Sequence, residues 1–323
     1  IFNLNLNLNN KKAITHQELR EEILRLKKEK NALIMAHYYQ RDEIQEIADF
    51  IGDSLALARQ AAKTDADIIV MCGVHFMGEP AKILCPGKKV LVPDMAAGCS
   101  LADSCDADDF RRFVEAHPGY TVISYVNTSA AVKALTDIVV TSGNARKIVE
   151  SLPADEKIIF GPDKNLGGYI NSVASRDMLL WQGACHVHDR FSIDKIMDLK
   201  KEHPEAKILV HPECRRPLQL IADKVGSTAA LLEFAEKDEA PEYIVVTESG
   251  ILFEMRRKCS SKRFIPAPAE DSECQCNECD YMKLNTLEKV YAALRDEAPE
   301  IHVDPEVAAK AIRPIERMLE LSV

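Results

Sequence analysis

The chain has 323 residues, 46% of them hydrophobic, enough to bury one large core or several small ones. Acidic residues outnumber basic ones by 51 to 41, for a net charge of −10, and no Lys/Arg block or basic stripe is present, which argues against nucleic acid as a partner. No run approaches the ~18 uninterrupted apolar residues of a membrane span. The start, IFNLNLNLNN, alternates Leu or Phe with Asn and has neither Met nor the apolar block of a signal peptide. Residues 1–16 are therefore expected to be a truncated, poorly ordered arm. With ten cysteines and no secretion signal, the expectation is a cytoplasmic protein with reduced thiols serving metal binding or catalysis.

A helix is expected over 17–29, then ALIMA (32–36), a continuous apolar run suited to a strand buried on both faces. A helix over 42–50 carries Ile44, Ile47, Ala48 and Phe50 on one face. Ser54 caps a second helix, LALARQAAK; IIVM (68–71) is a strand, 78–84 a short helix, and KVLVP (89–93) a strand before a loop with Cys99. The next segment gives strand TVISYV, a helix near 129–135, strand IVVT, a helix from Gly143, and strands KIIF and MLLW before Cys185. The last gives KILV, helices 216–223 and 229–237, YIVV, helix 250–258 and RFIP before Cys279. The helical patterns LNTLEKVYAAL and 304–321 are expected to pack back on the first domain with helix 17–29.

These segments repeat. His37, Tyr125 and His211 each end the first apolar run, at intervals of 88 and 86 residues. Twelve positions later stand Asp49, Asp137 and Asp223, and five further on Ser54, Ser142 and Thr228. The surrounding stretches read IADFIGDSLALA, LTDIVVTSGNAR and IADKVGSTAALL, and each repeat closes on a cysteine-bearing loop. Strands alternating with helices mean parallel sheets. The expectation is an α/β protein of three homologous three-layer α/β/α sandwich domains (17–118, 119–204 and 205–283, with helices in 284–323 covering the first) around a pseudo-threefold axis. Ligands of such sheets bind beyond the carboxyl ends of the strands. His37, Tyr125, His211, Cys99, Cys185 and Cys279 should thus converge on one cavity.

One thiol from each domain suits a four-iron four-sulfur cube better than zinc, which as a structural ion takes four protein ligands, often in close pairs. A cube held by three cysteines keeps one iron open as a Lewis acid. Cys274, Cys276 and Cys279 form the only local cluster, and alone could equally be half a zinc site or a redox set. The third repeat is longer here, and the two extra thiols sit by the insertion, leaving Cys279 as the repeat equivalent. Cys72, Cys85 and Cys259 read as packing residues. Ser54, Ser142 and Thr228 read as helix N-caps, either purely structural or aimed with their helix dipoles at carboxylates or phosphates. His37, Tyr39, Tyr125, Asn127, His188, His211 and Glu213 are the polar side chains at the strand ends, and Glu213, the one carboxylate among them, is a general acid/base candidate.

Together, the segments AHYYQ (36–40), GDSLALAR (52–59), PDMAAGCS (93–100), YVNTSAAVKA (125–134), VVTSGNA (139–145), GPDKNLG (161–167), WQGACHVHD (181–189), VHPEC (210–214), VGST (225–228) and MKLNTL (282–287) resemble the quinolinate synthase family. The resemblance runs in order over roughly residues 20–320. It implies a [4Fe–4S] cluster on Cys99, Cys185 and Cys279, and condensation of iminoaspartate with dihydroxyacetone phosphate to quinolinate, phosphate and water in NAD biosynthesis. It also implies functional coupling to an L-aspartate oxidase. On this reading Tyr39, Ser54, Asn127, Ser142, Ser227 and Thr228 hold carboxylates and phosphate, while His37, Tyr125, His188, His211 and Glu213 handle protons. Many relatives carry C-x-x-C-x-x-C near the third ligand. Here Glu273 takes the first position and Cys274 is displaced by one, so serine at Cys274 or Cys276 is expected to leave the cluster in place. The competing readings are a non-catalytic iron–sulfur or zinc sensor and a different lyase on the same scaffold.

Overall fold

A computed structural model describes residues 15–270 and 277–322. The expected arm falls, as far as residue 14, outside them, as do Cys274 and Cys276. Thr15 is the first described residue and caps helix His16–Glu29 in a capping box with Glu18.

Three four-stranded parallel sheets follow, with one topology used three times. The first contains β1 (Ala32–His37), β2 (Phe50–Gly52), β3 (Ile68–Cys72) and β4 (Lys89–Leu91), in the order β2-β1-β3-β4. The second contains β5 (Thr121–Tyr125), β6 (Ile138–Val140), β7 (Ile158–Gly161) and β8 (Leu179–Leu180), in the order β6-β5-β7-β8. The third contains β9 (Lys207–Val210), β10 (Lys224–Val225), β11 (Glu242–Val246) and β12 (Arg263–Pro266), in the order β10-β9-β11-β12. Alternate residues of each central strand enter different cores. Met35, Ile69 and Met71 pack on one face of the first sheet with Leu57 and Ala61, whereas Ile34, Ala36, Ile68 and Val70 pack on the other with Ile23, Leu26 and Val290. Both faces are covered, which is why the strands read as continuous apolar runs.

The repeated aspartate explains the edge strands. Asp49 accepts from the Ile34 N–H at 2.9 Å, Asp137 from Val122 at 2.8 Å and Asp223 from Ile208 at 2.7 Å. Each aspartate's own N–H returns to the carbonyl of the same residue, at 2.8, 2.9 and 2.9 Å. This two-bond clasp pulls the chain back against the first strand just before it becomes the edge strand. It also corrects two expectations. The helix expected over 42–50 ends at Ile47 and Phe50 begins β2, paired with Met35; the helix expected over 216–223 ends at Leu220 and Lys224 begins β10. Replacing Asp137 by alanine leaves the Val122 N–H without its acceptor, a loss of about 1–3 kcal/mol, and should lower the thermal melting midpoint by several degrees.

The C-terminal helices part company. Leu287–Asp296 lies against His16–Glu29 and β3, whereas Pro305–Leu321 packs on β6, on Ala130–Lys133 and on His75–Leu84. Its Ala311, Ile315 and Met318 are fully buried in a core continuous from the first sheet to the second. The last helix therefore packs on the first repeat as expected and on the second as well, joining the two. No helix among the described residues is long and apolar enough to cross a membrane.

Candidate functional site

The carboxyl ends of the three sheets open on one cavity with about 660 Å³ of empty space, part of it continuous with solvent. The first repeat lines it with His37, Tyr39, Ser54 and Cys99, the second with Tyr125, Asn127, Ser142, Cys185 and His188, and the third with His211, Glu213, Thr228 and Cys279. Of the residues expected at a site, only Ser227 is not among those lining it. Its hydroxyl accepts from the Ala230 N–H at 3.3 Å and so caps helix Thr228–Lys237.

The expected N-caps are each off by one or more positions. Asp53, not Ser54, caps helix Ser54–Lys63; Ser227, not Thr228, caps the third-repeat helix; and Asn144, not Ser142, precedes helix Ala145–Ser151. In the first and third repeats capping is done by the neighbour, which leaves the hydroxyls of Ser54 and Thr228 for the cavity beside the N-terminal N–H groups of their helices; Asn144 makes no side-chain cap, and Ser142 reaches the cavity from the loop before its helix.

The polar residues form a continuous chain drawn from all three repeats. Thr228 Oγ1 lies 2.7 Å from Tyr39 Oη, which lies 2.8 Å from Thr247 Oγ1. Thr247 is 2.9 Å from His188 Nε2, and His188 Nδ1 is 3.1 Å from Glu213 Oε2. Tyr125 Oη donates to the other oxygen of Glu213. His211 stacks on His188 with ring centroids 4.5 Å apart, and its Nε2 is 3.3 Å from Ser142 Oγ. Burial alone would raise the Glu213 pKa, but His188, His211 and the hydrogen bonds from His188 and Tyr125 outweigh it and hold the carboxyl down to about 2.

His37 and His211 share a local device. The N–H two residues on, of Tyr39 at 3.2 Å and of Glu213 at 3.4 Å, donates to ring Nδ1. That fixes the neutral tautomer with its proton on Nε2. Burial pushes both imidazoles down to about 3, with the neighbouring His188 adding to the effect on His211. Between the ordinary value near 6.5 and about 3, the unfolded chain binds a proton at His37 that the folded chain does not, so acidification destabilises the fold. The melting midpoint of metal-free protein should fall from pH 7.5 to pH 5, and His37→Gln should flatten that slope.

The three cavity cysteines are equally patterned. Cys99 and Cys185 each stand at the N-cap position of a four-residue helix, Ser100–Asp103 and His186–Asp189, without a side-chain cap, and Cys279 precedes the 3-10 turn Met282–Leu284. Burial pushes the Cys99 thiol up to about 12, Cys279 to about 11 and Cys185 well above its ordinary value. Backbone N–H groups of Ala102 and Leu101, of His188, and of Met282 and Tyr281 oppose that rise. Cys185, His188 and Glu213 also offer ligand atoms within 4.8 Å of one another, a group able to hold a metal ion.

The family model described as quinolinate synthetase A protein matches residues 21–320. A quinolinate synthase of Chloroherpeton thalassium is 53% identical over 309 residues, covering 96% of each chain. One from Microcystis aeruginosa is 55% identical over 300 residues (93% of this chain, 94% of the relative). One from Trichodesmium erythraeum is 54% identical over 305 residues, 94% of each. The chain belongs to the quinolinate synthetase A family. It is an enzyme, and the cavity at the meeting of its three sheets is where the polar and thiol side chains of all three repeats gather.

Sequence reasoning passed over four residues here. Thr247 links Tyr39 to His188; Glu248 is a further carboxyl lining the cavity; Lys283 donates to the Tyr39 carbonyl at 2.8 Å and pairs with Glu248 at 3.0 Å; and Asp163 accepts from the Cys185 N–H. Thr247, Glu248 and Asp163 directly follow strands at the same sheet edge, so the carboxyl-end rule that found His37 and His211 applies to them too.

Proposed function

We propose that this enzyme condenses iminoaspartate with dihydroxyacetone phosphate to quinolinate, releasing one phosphate and two waters, as a step of NAD biosynthesis. Iminoaspartate would come from an L-aspartate oxidase. The observation that carries the reading is the joint lining of one buried cavity by one thiol, one strand-end His or Tyr and one helix-start hydroxyl from each of three repeats. Cys99, Cys185 and Cys279 are the residues that would hold a [4Fe–4S] cluster. Their chemistry fits it: thiols raised by burial and already approached by N–H groups become stable thiolates when a cationic metal centre joins them. When bound, such a cluster supplies one iron able to act as a Lewis acid.

The remaining work falls to the side chains. Both substrates are anions, and the N-terminal N–H groups of helices Ser54–Lys63 and Thr228–Lys237, with the hydroxyls of Ser54, Ser142, Thr228 and Tyr39 and the amide of Asn127, supply donors for carboxylate and phosphate oxygens. The neutral imidazoles of His37 and His211 offer Nε2–H donors to carboxylate or carbonyl oxygens without adding a buried charge. Glu213 is held ionised and accepts the protons that leave carbon and nitrogen as the ring closes and aromatises. His188 shares its charge and Tyr125 returns a proton to a departing hydroxyl. The test is product formation. Anaerobically purified protein given oxaloacetate with ammonia, as a source of iminoaspartate, and dihydroxyacetone phosphate should yield quinolinate and phosphate in equal amounts. Phosphate release without a pyridine dicarboxylate would contradict the proposal.

A further inference from the structure

The sheet registers identify one position three times. Ala36 of β1 faces Cys72 of β3, Ser124 of β5 faces Gly161 of β7, and Val210 of β9 faces Val246 of β11. Ala36, Ser124 and Val210 are equivalent, each preceding the His or Tyr that begins the site. Two residues beyond their partners stand Val74, Asp163 and Glu248, all buried, so these three occupy the same place in the three repeats. What they do differs. Asp163 Oδ2 accepts from the backbone N–H of Cys185 at 2.9 Å, and Glu248 Oε1 accepts from the backbone N–H of Cys279 at 3.1 Å. Val74 has no acceptor to offer, and it opens helix His75–Leu84 without a side-chain cap.

We infer that Asp163 and Glu248 are a matched pair of positioning residues, each fixing the backbone of its own repeat's cysteine so that the thiol faces the shared cavity, and that Cys99, with Val74 in the corresponding place, is the least restrained of the three thiols. As far as it concerns a bound cluster, this rests on the assignment of those cysteines as ligands. Both carboxyl groups are tied down on their far side. Asp163 Oδ1 accepts from the N–H groups of Asn165 and Leu166 at 2.7 and 2.9 Å, and Glu248 Oε2 takes Gly250 N–H at 2.7 Å, while Lys283 Nζ pairs at 3.0 Å with Oε1, the oxygen that also faces Cys279. A ligand amide bonded to a carboxyl is turned away from any sulfur in the cavity. It therefore adds none of the N–H···S bonds that raise a cluster's reduction potential.

Asp163→Asn isolates the positioning role. It keeps one oxygen for the Asn165 and Leu166 N–H groups and replaces the acceptor facing Cys185 with an NH₂ group, a donor. The expected results for the folded full chain are a melting midpoint lowered by no more than several degrees and, in metal-free protein, hydrogen exchange at the Cys185 amide at least about fivefold faster, the scale of one lost hydrogen bond. In iron-loaded protein, loss of iron to a chelator under anaerobic conditions should be faster by a similar factor, with a more positive cluster potential. Glu248→Ala, read at the Cys279 amide, gives an independent second variant. Unchanged amide exchange in folded Asp163→Asn, or faster exchange with unchanged iron loss and potential, overturns the inference. If the native chain carries no iron, the ligand assignment fails on its own, while the exchange measurement still decides whether the two amides are held.

Discussion

Serine in place of Cys99, Cys185 or Cys279, one at a time, is expected to strip the anaerobically purified protein of its iron and sulfide and to cut quinolinate formation by at least about a hundredfold. Each thiol reaches the cavity from a different sheet, and among the described residues no other cysteine lines it. A serine hydroxyl also ionises far less readily than a thiol in a buried site. The protein carries its own controls. Cys72, Cys105, Cys214 and Cys259 are buried in four separate apolar cores, and none lines the cavity. Alanine at any of them removes some packing and should leave iron and sulfide content as in the native chain. Serine at Cys274 or Cys276 is likewise expected, from the sequence, to keep them. Retention of full iron and sulfide by the Cys279→Ser protein would remove Cys279 from the ligand set.

Glu213→Gln should lower kcat by about a hundred- to ten-thousandfold, the usual range for a positioned proton-transfer group, with little change in KM. Glutamine keeps the size of the side chain, and its one oxygen can still accept from His188 or Tyr125 while the NH₂ group takes the other position, so the cavity retains its shape. What it loses is the negative charge held by those two neighbours and the ability to take a proton. The side chains of His188 and Glu213 are each only 3% exposed, so bulk water cannot easily substitute as base. Iron content and melting midpoint measured on the same sample separate this from simple damage. Turnover at the native rate would rule out a proton-transfer role for Glu213 and shift attention to Glu248, which with Asp53 is one of two further carboxyls at the cavity wall.

The architecture was legible because the chain repeats it. His37, Tyr125 and His211 mark the first strand of each sheet, and the cavity they face could be read from the carboxyl-end rule before any coordinates. The misreadings have specific causes. β2 and β10 are three and two residues long, too short to show a period, and are made by the Asp49 and Asp223 clasps, which are tertiary contacts. Helix Lys164–Val173 was passed over because Gly167 and Gly168 interrupt its pattern, though Gly167 is required where a Cβ would meet Leu180 at 2.7 Å. The caps slipped to Asp53 and Ser227 because two hydroxyl or acidic residues stand side by side at each helix start, and only geometry says which one bonds the next turn. Thr247 and Glu248 were missed because the sequence presents them inside one polar run, TESG, with nothing to show that Thr247 meets Tyr39 and His188 of other repeats or that Glu248 meets the Cys279 amide.

The most direct test of the shared three-thiol centre is iron and acid-labile sulfide per chain, measured on native protein purified without oxygen. About four of each are expected for a single [4Fe–4S] cluster held by Cys99, Cys185 and Cys279. Zinc without sulfide, lost on Glu213→Gln but kept on Cys99→Ser, would contradict it and assign the metal instead to Cys185, His188 and Glu213.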